Sequence, residues 1–417
     1  MSSLRLSELL VGLSRIADIG MGFEPGEAAR AVVIAAELAR ELDLPEPSDV
    51  YYVTLLQHIG CTAYAHEAAG LLGGDDIAVK AAAARTDFDD PGDVLLGYLP
   101  SLAPDAGAAA RVRAAGVAAL RARRITAGYS QANCEVAART ARRVGLGAGV
   151  QHGLTDIYES WNGKGGPRGA RAEAIALPAR VAQVAATAGL FDRVGGAALA
   201  IETVERRGGR SLDPALAREL CRRGDRILGE LASADVVVAA IEAEPEPAVR
   251  ISDGGLDAVC RAFGDAVDLK SPFHHGHSAG VAELAAAAAE RLELDAPEVS
   301  ALRRAGFLHD LGRAAIPNGI WESPRDADLQ RLGARAAARL PRRAGPVAVR
   351  PAGGARAAGR HAPRAARRLG LSPPGEGHRD PDDRPRARRR RRLPGNDPAA
   401  ATPAGAHHEG RCRRAHR

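Results

Sequence analysis

The chain has 417 residues, enough for two or more domains, and its charge is unevenly distributed. Residues 325–417 hold 24 of the 57 basic residues and 8 of the 51 acidic ones, which leaves residues 1–324 with a net charge of −10. This acidic part argues against a nucleic-acid-binding core, and we expect no specific nucleic-acid partner. The five cysteines include no Cys-x-x-Cys pair, which favours reduced thiols over a disulfide framework or a zinc site.

The first predicted elements are helices. Apolar residues of the segment 22–44 recur at steps of three and four: Ala28, Val32, Val33, Ala36, Ala39 and Leu42. β-Branched runs with a period of two are scarce, so we predict an all-α fold. The alanine-rich runs contain glutamates and are too short to span a bilayer, and no basic-then-apolar leader opens the chain. We therefore expect a cytoplasmic protein without a membrane partner.

The sequence contains an internal repeat. Shifted by 250 residues, the segment 22–44 aligns with 272–295, so that Phe23 matches Phe273 and Gly26 matches Gly276. With two more residues in the second copy, LLQHIGC (55–61) aligns with FLHDLGR (307–313). Such self-similarity indicates duplication of one structural unit.

The domain boundaries follow from this repeat. We predict a first copy over residues 1–235 and the N-terminal part of a second copy over 251–324. Residues 236–250 end in an acidic, proline-containing stretch that could link the copies. Residues 325–417 are rich in arginine, proline and alanine and hold no aromatic residue and no isoleucine, so we expect this tail to be disordered.

The second copy repeats the helical pattern and ends it with a histidine and an aspartate. Its predicted apolar stripes are Val281, Leu284, Ala285, Ala288 and Leu292, then Val299, Leu302, Ala305 and Leu308. His309 and Asp310 follow at once, before Gly312. Neighbouring helical residues point about 100° apart, so this imidazole and carboxylate can hold one metal or bridge two. With His277 upstream, the pattern predicts a metal site and, with it, phosphoester chemistry.

The ordered motifs FHHGHS, LHDLGR and IPNGIW resemble those of the HD-GYP branch of the HD-domain metal phosphohydrolases, and DLKSPF (268–273) is similar to that family's DxKSxF pattern. The resemblance implies an all-helical fold with two or three metals, usually iron or manganese. It also implies hydrolysis of a phosphodiester, plausibly cyclic di-GMP, by a bridging metal-bound hydroxide while the metals neutralise the phosphoryl oxygens.

The resemblance assigns roles residue by residue. His277, His309 and Asp310 would be metal ligands, with Asp310 also counted as catalytic. Arg313 stands where the family usually has a lysine that contacts phosphate, and arginine can make the same contact bidentately. The neighbouring His274 and His275 match no required position and are expected to be surface loop residues.

The first copy departs from the family pattern at every ligand position. Its segment 158–185 resembles the family's later signature in eroded form, but the ligand positions hold Glu27, Gln57, His58, Ile157, Tyr158, Asn162 and Ala186. A metal cluster cannot survive those losses together. We predict that the first copy is a pseudo-domain that keeps the fold without the chemistry. Its role would be to pack against or regulate the second copy.

The tail has a second interpretation, as a shifted reading frame. Moving the frame forward by one nucleotide lets Asp326–Ala344, His361–Pro373 and Leu393–Thr402 be read as the next three HD-GYP segments, in order. We therefore hypothesise a frameshift or sequencing error near Pro324. The remaining family ligands would lie in the shifted segment, so this chain would lack them.

Two functions remain open at this point. The first is a metal-dependent phosphohydrolase of the HD/HD-GYP class, impaired by the lost ligands, that acts on a phosphodiester or cyclic dinucleotide. The alternative is a non-enzymatic signalling scaffold of paired HD folds. A homodimer is possible in either case. Taken in isolation, His309 and Asp310 would more often be a helix-terminal histidine beside a solvated acid, and the flanking motifs reverse that balance.

Overall fold

A computed structural model of the protein describes residues 4–72, 75–103 and 107–321. Most of these residues are helical and strands account for only four of them, which confirms the all-α prediction. The helices are α1 (Leu6–Gly20), α2 (Glu27–Glu41), α3 (Pro47–Leu56), α4 (Ala65–Leu72), α5 (Asp76–Arg85), α6 (Pro91–Asp93), α7 (Ala108–Arg143), α8 (Ala148–Thr155), α9 (Leu177–Arg207), α10 (Pro214–Ser233), α11 (Val236–Glu242), α12 (Asp253–Asp268), α13 (His277–Arg291), α14 (Ala296–Leu308) and α15 (Asn318–Trp321). The expected disordered tail and the shifted-frame segments lie outside the described residues.

Two short strands bring the beginnings of the two predicted copies together. β1 (Leu4–Arg5) pairs antiparallel with β2 (Arg250–Ile251), and each strand leads into the first helix of its copy, α1 or α12. The largest core cluster continues across this junction, because it includes Leu6 and Leu10 of α1 together with Val259 and Phe263 of α12. The copies therefore share one hydrophobic core.

Helix α2 lies at the centre of the first copy. It packs against α1, α3, α9, α10 and α11. Ile34 and Leu38 of α2 are fully buried in a cluster with Val181 and Val184 of α9. Within the described ranges, α9 is the one helix long and apolar enough to cross a membrane, and here it serves as a core helix with a kink at Gly195 and Gly196.

The segment 236–250, expected to connect the copies, is well packed. It contains α11, which contacts α1 and α2. Glu244 follows α11, is buried, and accepts hydrogen bonds from Ser7 Oγ and the Tyr52 hydroxyl. This segment fixes α1 against α3 as well as joining the copies.

In the second copy, α13 and α14 pack through small residues rather than through the predicted stripes. The buried face of α13 consists of Ser278, Ala282, Ala286 and Ala289, whereas Leu284 is 73% exposed. On α14, Val299 is buried as predicted, but Leu302 is 41% exposed. The stripe assigned to α13 is therefore wrong by about one residue. Alanine occurs on every side of this helix, so hydrophobic periodicity did not single out the contact face.

The start of the central helix has the same geometry in both copies. Gly26 precedes α2 with a φ of 102°, and Gly276 precedes α13 with a φ of 77°. Asp18 accepts hydrogen bonds from the Gly26 and Ala28 amides, and Asp268 accepts one from the Ser278 amide. These residues are the ones that the 250-residue shift pairs.

Candidate metal centre

Three side chains of the second copy converge on one point. His277 Nε2 lies 3.3 Å from His309 Nε2, and Asp310 Oδ2 lies 3.2 Å from each of these nitrogens. Among the residues that the structure describes, this is the one group of three or more His, Cys, Asp or Glu side chains whose donor atoms could share a metal ion. The three predicted ligands thus meet, although they are up to 33 residues apart in sequence.

His277 is placed by the beginning of α13. It is the first residue of that helix, after Gly276 in the left-handed conformation that glycine adopts without a steric cost. The next residue, Ser278, is held by buried Asp268, which accepts from its amide at 2.8 Å and its hydroxyl at 2.7 Å. Asp268 therefore accepts from an amide at the helix N-terminus that would otherwise be unpaired. This bond fixes the start of α13 and with it the position of His277.

His309 is placed by the end of α14. Its Nδ1 lies 2.8 Å from the carbonyl oxygen of Gly306, which assigns the ring proton to Nδ1 in the neutral form and leaves the Nε2 lone pair facing the site. Gly306 itself packs on α13, because a Cβ built at this position would lie 2.5 Å from Ala282 Cα. This close approach of the two helices sets the distance between the two histidines.

Arg313 lies beside the three converging residues. Its Nη1 is 3.0 Å from Asp310 Oδ2, and its guanidinium carbon is 4.9 Å from the centre of the Trp321 ring. The arginine side chain is 18% exposed, so part of its charge faces solvent at the edge of the site. The structure places Arg313 next to the carboxylate, where it could also reach a bound phosphate.

The arrangement fits a divalent metal. Ligands about 2.1 Å from one ion at roughly right angles are about 3 Å from each other, close to the spacing of these three atoms. His309 Nε2 and Asp310 Oδ2 face each other at 3.2 Å, a spacing that two ligands of one shared metal ion can adopt. Imidazole nitrogen and carboxylate oxygen together suit iron, manganese or zinc.

The neighbouring histidines do not join the cluster. His275 is exposed, as expected for a surface loop residue. His274 is half-buried, and its ring lies 5.8 Å from that of His277 and 6.5 Å from that of Trp321. Together with Arg313 and Trp321, His274 lines one side of the site. It does not provide a fourth donor atom to the group. The 3-10 helix Pro272–His274 holds it there.

The equivalent positions of the first copy are closed and lack a donor cluster. Glu27 takes the place of His277, is buried, and lies 2.8 Å from Arg193 Nε. Gln57 takes the place of His309. Its side-chain amide donates to the Thr54 carbonyl at the C-terminus of α3. His58 packs edge-on against Phe23, and burial lowers the pKa of His58 to about 4.

The later positions of the eroded motif are also occupied by structural contacts. Ile157 is buried in the core, and the Tyr158 ring packs edge-on against Tyr129. Asn162 Nδ2 donates to Asp89 at 2.7 Å, and Asp89 also pairs with Lys164. Lys164 therefore lies in a loop ion pair.

Two features of the site were not predicted from the sequence, although Lys270 and Asn318 lie within the DLKSPF and IPNGIW motifs. One is the contact of Gly306 with Ala282, which only the packing of α13 on α14 reveals. The other is a buried network from Asp76 of α5 to Lys270 and Asn318 of the second copy. For the second feature, the sequence offers one indication, which is the presence of charged Asp76 and Lys80 in the mostly apolar helix α5.

Comparisons with known proteins agree with the site. A family model described as the HD domain matches residues 275–348. The chain is 27% identical over 332 residues to the 3'3'-cGAMP-specific phosphodiesterase 3 of Vibrio cholerae serotype O1, with 78% of this chain and 71% of that protein covered. A crystal structure of a cyclic GMP-AMP specific phosphodiesterase from Vibrio cholerae matches with a TM-score of 0.57 and 25% identity, covering 81% of this chain and 78% of that chain. These matches support the HD phosphohydrolase family for this chain.

Proposed function

We propose that this protein is a metal-dependent phosphodiesterase of the HD type that acts on a cyclic dinucleotide. The observation that carries the proposal is the convergence of His277, His309 and Asp310 within 3.3 Å of one another. The match of the HD-domain model to the segment containing all three residues supports the same function. So does the likeness to a cyclic dinucleotide phosphodiesterase over most of the chain.

Each side chain has a role in this proposal. His277, His309 and Asp310 hold the metal, which supplies charge neutralisation for the phosphoryl oxygens and a source of nucleophilic water. Gly306 keeps His309 in the tautomer whose Nε2 can bind. Arg313 contacts a phosphate oxygen with its planar guanidinium, and the Trp321 ring limits its movement. We propose iron or manganese as the metal.

The substrate class is a cyclic dinucleotide, and two members of this class are candidates. The sequence motifs lead to cyclic di-GMP, whereas the relative from Vibrio cholerae is named for 3'3'-cGAMP. Both contain the same two phosphodiester bonds, and they differ in one base. The metal centre would act on the phosphodiester bonds that both compounds share. Selection of one compound over the other therefore depends on contacts to the bases.

We also propose that the two halves arose by duplication and that the first half has lost the chemistry. In each half an aspartate accepts from the second amide of the central helix, Asp18 from Ala28 and Asp268 from Ser278, and a glycine with positive φ precedes that helix; this shared geometry supports a common origin. The internal contacts of Glu27, Gln57 and His58 support the loss of metal binding in the first half. The proposed role of that half is to support the second one.

We further propose that turnover by this chain is low. The three converging residues are fewer than the ligands that a centre of two metals requires. The family's remaining ligands correspond to the shifted-frame segments after Pro324, outside the described residues. The nucleotide sequence of codons 315–330 tests this part: an intact single frame that encodes the chain as given would rule out the frameshift.

Metal binding and hydrolysis test the function directly. Purified full-length protein should bind Mn²⁺ in electron paramagnetic resonance titrations, and Asp310→Asn should abolish that binding. Loaded protein should hydrolyse cyclic di-GMP or 3'3'-cGAMP slowly, with Arg313→Ala raising KM more than it lowers kcat. Protein that binds no metal and cleaves neither compound would contradict the proposal and favour the signalling scaffold.

A further inference from the structure

A buried ionic network joins the first half of the chain to the loop of the metal centre. Asp76, the first residue of α5, has a fully buried carboxylate. Its Oδ2 lies 2.9 Å from Lys80 Nζ and 3.2 Å from Lys270 Nζ. Its Oδ1 accepts from the backbone amide of Asn318 at 2.8 Å. The two lysine side chains are at most 5% exposed. One carboxylate therefore holds three donors, two of which belong to the second half.

The network holds the loop that follows the metal ligands. Lys270 Nζ lies 3.5 Å from the carbonyl oxygen of Ala314, and the Lys270 carbonyl accepts from Asn318 Nδ2 at 2.6 Å. Ala314 belongs to the 3-10 helix Leu311–Ala315, which begins directly after Asp310. The same helix carries Arg313, whose amide donates to the Asp310 carbonyl at 2.9 Å. A displacement of this helix would therefore move both Asp310 and Arg313.

The charges make the network depend on Asp76. Burial alone would raise the pKa of Asp76, but Lys80 and Lys270 together hold it below its usual value. Lys80 and Lys270 bring two positive charges to one carboxylate, and backbone carbonyls of Cys61 and Ala314 accept from them. Without the carboxylate, two ammonium groups would face each other in a buried space, which is strongly unfavourable.

We propose that Asp76 and Lys270 are positioning residues for the metal centre, so that the first half of the chain orders the loop bearing Asp310 and Arg313. The inference rests on the proposed function. Neither residue touches a metal or substrate, and they act through the backbone of residues 311–318. It gives the metal-free half a specific task, which is to hold the loop from which a ligand and a phosphate contact project.

The test uses Lys270→Met in the full-length chain. This variant removes the contact with Ala314 and leaves Asp76 and Lys80 as a balanced pair, so the protein should fold. We expect hydrogen exchange of the 309–318 amides in metal-free protein to accelerate at least about tenfold. We expect Mn²⁺ affinity to fall about tenfold, as for other residues that orient metal ligands. Unchanged exchange together with unchanged affinity would overturn the proposal.

Asp213→Asn is the matched control. Asp213 is also buried and pairs with Arg180 at 2.8 Å, but it caps the N-terminus of α10 and lies in the first half. The Asp213→Asn variant should lower Tm. The hydrogen-exchange rates of residues 309–318 and the Mn²⁺ affinity should both stay within about twofold of those of the unchanged protein. If the unchanged chain binds no Mn²⁺, the proposed function fails, and the exchange measurement alone decides the positioning role. Equal acceleration in both variants would refute a specific role for Lys270.

Discussion

At the scale of single residues, His309 and His58 show that histidines at neighbouring positions of the two aligned motifs can have opposite environments. His309 Nδ1 bonds to the Gly306 carbonyl, and the ring stays 36% exposed at an open site. His58 belongs to the motif that aligns with it, but its Nδ1 is buried without a hydrogen-bond partner. Phe23 covers the ring of His58. His58 is therefore a packed residue whose buried Nδ1 disfavours the charged form.

This preference for the neutral form predicts a specific acid sensitivity. The pKa of His58 falls from 6.5 to about 4 on folding because burial disfavours its charged form. The unfolded chain then takes up a proton that the folded chain refuses, so stability is lost as the pH falls from 6.5 towards 4. Relative to the unchanged protein, His58→Gln should gain about 2 kcal/mol between about pH 8 and about pH 5. Urea unfolding at both pH values measures this difference.

Asp18 makes the comparison with the variant necessary. Burial raises the pKa of Asp18 to about 7, so its protonation favours the folded state as the pH falls. The two groups act in opposite directions over the same pH range, and the pH profile of the unchanged protein alone would not separate them. A parallel pH profile for His58→Gln and the unchanged protein would contradict a buried neutral histidine.

At the scale of elements, the geometry of the metal centre depends on how closely α13 and α14 approach. Gly306 allows this approach, because any Cβ there would overlap Ala282. Gly264 of α12 makes a similar contact with the Phe307 carbonyl, at 2.5 Å from a built Cβ. Small residues therefore set the spacing of three helices, and the histidines follow from that spacing.

Gly306→Ala tests this dependence. The added methyl group must push α14 away from Ala282, which should destabilise the protein by about 2 kcal/mol and weaken Mn²⁺ binding through His309. Gly280→Ala is the control on α13, where no atom lies within 4 Å of the built Cβ. It should stabilise the fold by about 0.5 kcal/mol and leave metal affinity unchanged. Equal effects of the two substitutions on metal affinity would contradict the packing argument.

The sequence predicted which side chains meet at the site better than how the helices pack. The motifs pointed to His277, His309 and Asp310, which converge, because residue type and order can be read from the sequence. The contact face of α13 was misassigned, because alanine and leucine both count as apolar although only alanine fits against α14. The link from Asp76 to Lys270 spans 194 residues, and nothing local to either residue indicates its partner.

At the scale of the whole molecule, the two halves differ in what covers their central helices. Ile34 of α2 is fully buried against α9, whereas Leu284, its counterpart on α13, is 73% exposed. Val50 is likewise fully buried, and its counterpart Leu302 is 41% exposed. Over the described residues, the second half thus has less apolar cover of its own and relies on the first half for its core.

This reliance predicts that the second half will not fold when separated. A fragment of residues 251–417 would lose the core shared by α1 and α12 and would bury Lys270 without Asp76. We expect little cooperative unfolding by circular dichroism and no Mn²⁺ binding, because a few small clusters cannot offset the entropy of ordering the chain. Adding residues 1–250 as a separate polypeptide should restore both. A fragment that unfolds cooperatively by itself would contradict the prediction.

The pairing of β1 with β2 has a consequence for how such a molecule could have begun. β1 and β2 each precede the first helix of their half, and a two-fold axis can relate an antiparallel pair of strands in such corresponding places, so that a strand of this kind could pair with a copy of itself. On the duplication that we propose, the ancestral single unit already had the edge needed to form a homodimer. Fusion of two such genes would then have made the partnership permanent and freed one partner from selection for catalysis.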